Sequence, residues 1–101
     1  MSMIERRHRF QIYFQILWEI HLESQRTGLV KPTHISYSVS VPYNRLKEYL
    51  KELVNMGMIV DHGTYKITEK GERFLVEYER LTNFLADMGM LKVNNLLKVS
   101  T

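Results

Sequence analysis

The sequence predicts a mainly α protein with a short β-hairpin. Three observations carry that reading: a stretch from residue 4 to 26 free of proline and glycine with apolar residues at helical spacing, two short β-prone runs around His62-Gly63, and a long helical pattern after Thr68. At 45% hydrophobic and 25% charged, the 101 residues have the balance of one folded unit with one core. A chain this short buries a modest share of its surface, so burial against a second copy is a useful source of stability.

Within residues 4–26, Phe10, Tyr13, Ile16, Leu17 and Ile20 form one helical stripe. Phe14 and Trp18 form a second, which gives helix one something besides its own core to contact, such as a partner subunit. Thr27-Gly28 ends it. Helix two starts at Lys31-Pro32-Thr33, where the missing N–H of a first-turn proline costs nothing, and runs to about Ser38. Ser40 is expected to cap helix three, with Pro42 in its first turn, Leu46, Leu50 and Leu53 as the buried stripe, and Gly57 as the stop after Met56. Met58-Ile59-Val60 and Tyr65-Lys66-Ile67 are the hairpin strands, with His62-Gly63 as the tight turn. Thr68 is a good N-cap for the last helix, Glu69 and Glu72 suit its positive end, and the helix is expected to reach about Met88 before Gly89. Along it, Phe74, Tyr78, Leu81, Leu85 and Met88 step by four and three residues in alternation, the a/d spacing of a coiled-coil seam. Helix one is expected to cover part of that seam. The tail, residues 90–101, is apolar enough either to fold back or to join an interface.

Composition removes several function classes. Without cysteine there is no disulfide framework and no thiolate metal site, which fits a reducing, cytoplasmic compartment. The basic start, Arg6-Arg7-His8-Arg9, has no apolar h-region behind it, so no secretory signal is expected, and no stretch is apolar enough to span a bilayer. That basic run suits either a DNA-contacting arm or a frayed, solvated helix start. Residues 1–60 hold eight Lys or Arg against five Asp or Glu, whereas residues 61–101 hold six against six. The net charge of +3 therefore belongs to the first part, the better candidate for a polyanion surface. His8, His21, His34 and His62 are scattered, with no His-x-x-x-His or Glu-x-x-His pattern, so no metal and no other cofactor is expected. The absence of a phosphate loop, a serine elbow or an orienting third residue beside Asp61-His62 argues against an enzyme and a small-molecule substrate.

Three segments together carry a resemblance: Thr33-His34-Ile35-Ser36-Tyr37, then Leu46-Lys47-Glu48-Tyr49-Leu50-Lys51-Glu52-Leu53, then Ile67-Thr68-Glu69-Lys70-Gly71. In these residues and their spacing the chain resembles the archaeal winged helix-turn-helix family of small DNA-binding proteins that dimerise through an antiparallel C-terminal coiled coil. The resemblance covers about residues 8–88. It implies a winged helix-turn-helix over residues 1–67, a C-terminal dimerisation helix and tail over residues 68–101 as part of the same structural unit, and binding to duplex DNA with little or moderate sequence preference. Regulation of transcription or chromatin association in a nucleoid would follow. His34 stands where many relatives place an arginine, and Gly89 ends the last helix earlier than in the family's longest coiled coils.

In that arrangement Tyr43, Asn44, Arg45, Lys47 and Lys51 of helix three face DNA, Asn44 and Arg45 toward base edges and the lysines toward phosphates. Glu48 and Glu52 on the same side repel phosphates, which favours backbone contacts over base reading. Thr33, His34, Ser36 and Tyr37 of helix two and Lys31 just before it supply phosphate contacts, with Thr33 as a helix cap and Tyr37 as a core aromatic the competing roles, and His62 and Lys66 supply slight contacts from a hairpin whose other role is to close the core. The expected partners are double-stranded DNA and a second copy of the chain, joined through Phe74, Tyr78, Leu81, Leu85 and Met88, with no membrane. The alternative is a winged-helix protein-interaction module, which would use the acidic residues of helix three and show a flat salt response.

Overall fold

The computed structural model describes residues 7–91. Four helices and one hairpin follow in the order α1 (Arg9–Arg26), α2 (Pro32–Val39), α3 (Tyr43–Asn55), β1 (Ile59–Asp61), β2 (Tyr65–Ile67) and α4 (Glu69–Asp87). This is the mainly α, winged-helix architecture expected, with a C-terminal helix. The expected helix start at Ile4 and residues 92–101 of the tail lie outside the described residues. Arg7 and His8 are not helical. Helix α1 starts at Arg9 because the His8 ring accepts the Phe10 N–H at 3.1 Å and so caps the first turn.

Helix α1 is the spine. Its Tyr13, Phe14, Ile16, Leu17 and Ile20 are buried with Ile35 and Val39 of α2, Leu46, Leu50 and Leu53 of α3, Ile59 of β1 and Leu75 of α4. Phe10, expected on this stripe, is more than half exposed and lies against the His8 ring. Helix α1 ends where the N–H groups of Thr27 and Gly28 both turn back to the Glu23 carbonyl, with Gly28 at φ +75°. The next loop is pinned to the hairpin, as the Val30 N–H donates to Thr64 Oγ1 at 2.9 Å.

Ser40 does not cap α3. It closes α2 instead, in the left-handed region (φ 57°, ψ 48°), with its N–H directed to the Ser36 and Tyr37 carbonyls. Ser36 Oγ donates to Val41 O at 2.6 Å and the Val41 N–H returns to Ser36 O, a reciprocal pair that holds the turn between α2 and α3. Pro42 then precedes α3 as its cap residue, without a side-chain cap bond. The hairpin pairs Ile59 with Ile67 and Asp61 with Tyr65, leaving a three-residue connection, His62-Gly63-Thr64, in place of a two-residue turn. Gly63 has φ +89°, and its N–H meets Asp61 Oδ1 at 3.3 Å.

Helices α3 and α4 meet at β1 in a close junction. The Thr68 N–H donates to Met58 O, the Thr68 hydroxyl lies 2.6 Å from Gly57 O and 3.0 Å from Met58 O, and the same oxygen accepts the Gly71 N–H. Lys70 Nζ donates to Met56 O at 2.7 Å, a cation at the carbonyl end of α3. At Gly71 a Cβ atom would lie 2.3 Å from Met58 O and 2.6 Å from Ile67 Cγ1. Gly71→Ala should therefore force α4 away from the hairpin and cost about 3 kcal/mol. An unfolding midpoint equal to that of wild type in thermal denaturation would refute this close approach.

Candidate nucleic-acid interface

The outer face of α3 is built by its own periodicity. Leu46, Leu50 and Leu53 point into the core, so Asn44, Lys47, Glu48 and Lys51 come together on the exposed side. Lys47 and Lys51 border a groove between α3 and the hairpin, whose other walls are Leu50, Val54, Asp61 and Tyr65. Lys47 Nζ sits 5.4 Å from the centre of the exposed Tyr43 ring. On the opposite flank Arg45 lies over the Tyr49 ring and donates to its hydroxyl at 3.0 Å, which fixes the guanidinium beside a cleft lined by Arg7, Ile12, Ser40, Val41, Pro42 and Tyr49.

The two acidic residues of this face have different surroundings. Glu52 Oε1 accepts the Tyr13 hydroxyl at 2.6 Å and Arg9 Nη1 at 2.9 Å, and Arg9 also reaches Tyr13 OH at 3.2 Å. Glu52 is thus tied to α1, with its charge compensated, while Glu48 stays exposed between the lysines. The hydrogen bond from Tyr13, reinforced by Arg9, holds the Glu52 carboxyl below the usual carboxylate range. Burial, with Glu52 next to it, raises the Tyr13 phenol.

The basic start of the chain serves the same joint. Arg7 donates to Val39 O at 2.8 Å, to Ser40 O at 3.1 Å and to the Gln15 side chain, so one guanidinium covers the carbonyl end of α2. Of the basic run, Arg7 and Arg9 bind protein groups and His8 caps α1, while Arg6 lies outside the described residues.

Residues of α2 divide by face. Thr33 and Tyr37 are exposed one turn apart, Tyr37 at 87%, away from the buried Ile35 and Val39. Ser36 is occupied in the turn before α3. His34 faces α1: its Nε2 lies 2.8 Å from Glu23 Oε2 and 3.3 Å from Glu19 Oε2. Lys31, His62 and Lys66 are exposed on the loop and the hairpin. The Glu19, Glu23 and His34 cluster was not anticipated from the sequence. The available signal was that Glu19 and Glu23 fall three and seven residues after Ile16, on the buried side of α1.

On α4 the expected seam splits. Phe74 and Tyr78 pack within the chain, the Tyr78 ring stacking on Phe14 at 4.8 Å and on Phe74 at 5.7 Å, with Phe14 stacked in turn on Trp18. Leu81, Phe84 and Met88 are each more than half exposed, and Leu85 is partly buried. Phe84 escaped the seam reading although it lies three residues after Leu81 and four before Met88.

A family model described as winged helix-turn-helix matches residues 6–86. A search of curated proteins and a search of solved structures each returned no match.

The α1 to α3 strap sets a pH dependence. Glu52 has a lowered pKa in the folded state, so its contribution is complete above the ordinary value of 4.5 and is lost as pH falls through the folded value. With a partly exposed carboxylate, the stability difference between wild type and Glu52→Gln should be about 0.5 kcal/mol at pH 6 and should shrink as pH falls below 4.5. Urea denaturation at pH 6 and at a series of lower pH values measures it, and a pH-independent difference would discard the strap.

Proposed function

The chain belongs to the winged helix-turn-helix family, and on that premise we propose that it binds double-stranded DNA as a homodimer, mostly through phosphate contacts, as a transcriptional regulator or chromatin-associated protein of a nucleoid. The observation that carries the proposal is the α3 face. Lys47 and Lys51 border an open groove beside the hairpin, Arg45 is held on the other flank, and the nearby Glu52 carboxylate is compensated by Arg9. Thr33 and Tyr37 of α2 and Lys31, His62 and Lys66 extend this surface. Ser36 and His34, occupied within the protein, are left out of it. Tyr43 and Asn44 sit at the start of α3, the end that enters a major groove in helix-turn-helix docking. Glu48 among the lysines disfavours close approach to bases over much of the helix, so backbone contacts dominate.

Dimerisation is proposed through the distal part of α4. A face carrying Leu81, Phe84 and Met88, all exposed in the single chain, is costly to leave in water and suits helix-on-helix packing with a second copy. The dimer then fixes two modest DNA contacts at one separation, which raises avidity without further base reading.

Binding to a random duplex, followed by fluorescence anisotropy, should weaken steeply as salt rises. Replacing Lys47 and Lys51 with Ala should make the slope of log K against log salt shallower by about 0.9 for each phosphate that these lysines neutralise. No binding at low salt would instead support a protein-interaction module. In sedimentation, wild type should run as a dimer and Phe84→Asp as a helical monomer, because the position is exposed in the folded chain; a monomeric wild type ends the dimer proposal.

A further inference from the structure

Two carboxylates of α1 are buried side by side. Glu19 is 4% and Glu23 6% exposed, and they lie one turn apart. Glu23 Oε2 receives Arg26 Nη1 at 3.0 Å, from a side chain that is itself mostly in solvent. Among the described residues, His34 Nε2 at 3.3 Å is the one basic group paired with Glu19, and no other hydrogen bond reaches its carboxylate. Buried charge of this kind is retained when a cation sits beside it; Arg26 serves Glu23, and between the two carboxylates lies the His34 ring, where either a proton or a metal ion can supply the second positive charge.

The geometry points to a divalent transition-metal site of the zinc class formed by Glu19, Glu23 and His34. One ligand atom from each lies within 4.8 Å of the other two. The His34 to Glu19 separation, 3.3 Å, is close to the spacing of about 3.4 Å between ligands on a tetrahedral ion with bonds near 2.1 Å, and the His34 to Glu23 separation, 2.8 Å, is a direct contact that must open by about 0.6 Å when the ion takes its place. The donor set, one imidazole nitrogen and two carboxylate oxygens, suits zinc and its neighbours better than calcium or magnesium, which take oxygen ligands. Ser38 Oγ, 3.3 Å from the same His34 nitrogen, supplies a further oxygen close by. An open cleft lined by Arg26, Thr27, Leu29 and Lys31 gives solvent access. A bound ion neutralises both carboxylates and fastens α2, through His34, to α1. The site stands apart from the DNA-binding reading, since its ligands lie on the α1 to α2 side and its test needs no DNA.

Zinc ion alone, titrated calorimetrically into the metal-free full chain, should bind one equivalent per chain and raise the unfolding midpoint. Cobalt ion in its place should give the intense visible absorption of a four-coordinate site. His34→Gln, at an exposed position that tolerates change, and Glu19→Gln, which keeps the side-chain shape, should each weaken zinc binding at least about tenfold. His21→Gln, beside Glu72 elsewhere on α1, should leave it unchanged. Failure of wild type to bind zinc, or binding undiminished in His34→Gln, overturns the site.

Discussion

The fold depends on the contact between the first turn of α4 and the end of α3. Thr68 caps its own helix by accepting the Gly71 N–H, while its hydroxyl hydrogen is directed to the carbonyls of Gly57 and Met58. A single side-chain oxygen thereby serves two elements. The Met58 carbonyl can sit this close only because residue 71 lacks a Cβ, and Lys70 closes the same carbonyl end through Met56. Everything downstream inherits its direction from this junction. It aims α4 across α1, which places Tyr78 on Phe14, and it anchors the hairpin strand that ends at Ile67.

Helix α1 carries the second constraint, because it must pack apolar residues and also buried charge. Its ends are fixed by polar links: Arg7 and Arg9 join α2 and α3 at one end, and Thr27 and Gly28 close the other. Between them Glu19 and Glu23 are enclosed under α2. Replacing a buried ionic cluster with apolar residues often stabilises a protein, so such a cluster is weak support for the fold. The helix can tolerate it because Ile16, Leu17 and Ile20 on the adjacent face are fully enclosed and hold α1 in place.

Much of the fold was legible in the sequence because it depends on local chemistry. Pro32 at a first turn, Thr68 before Glu69 and Glu72, and Gly63 between β-prone runs each act within a few residues, and each lies where the pattern put it. The misses involve choices that local chemistry leaves balanced. Ser40 suits either the end of α2 or the start of α3, and the reciprocal bonds between Ser36 and Val41 decide for the first. His8 is an unusual cap residue. On the α4 stripe, the expectation that helix one covers part of the seam holds, since Phe74 and Tyr78 pack against α1; what periodicity left open was where that cover ends, and Phe84 was not read as part of the stripe. The site was legible as a set of exposed residues on α3; the roles of Arg9, Glu52 and His34 required knowing which helices meet.

Charge placement then separates two properties of the α3 surface. Coulomb attraction to phosphate depends on net charge over several ångströms, whereas base reading depends on the orientation of single groups. Because Arg9 and Tyr13 draw Glu52 toward α1, the flank near Arg45 loses little attraction to a polyanion. Glu48, exposed on the outer side of the helix, keeps a negative charge among Asn44, Lys47 and Lys51. A carboxylate there is compatible with two lysines reaching outward to the backbone strands, since their long side chains carry the charge away from the helix axis. It is poorly compatible with a helix lying deep against guanine or thymine edges, which offer acceptors to its oxygens. For the proposed binding to duplex DNA, this arrangement favours affinity that follows ionic strength over affinity that follows sequence.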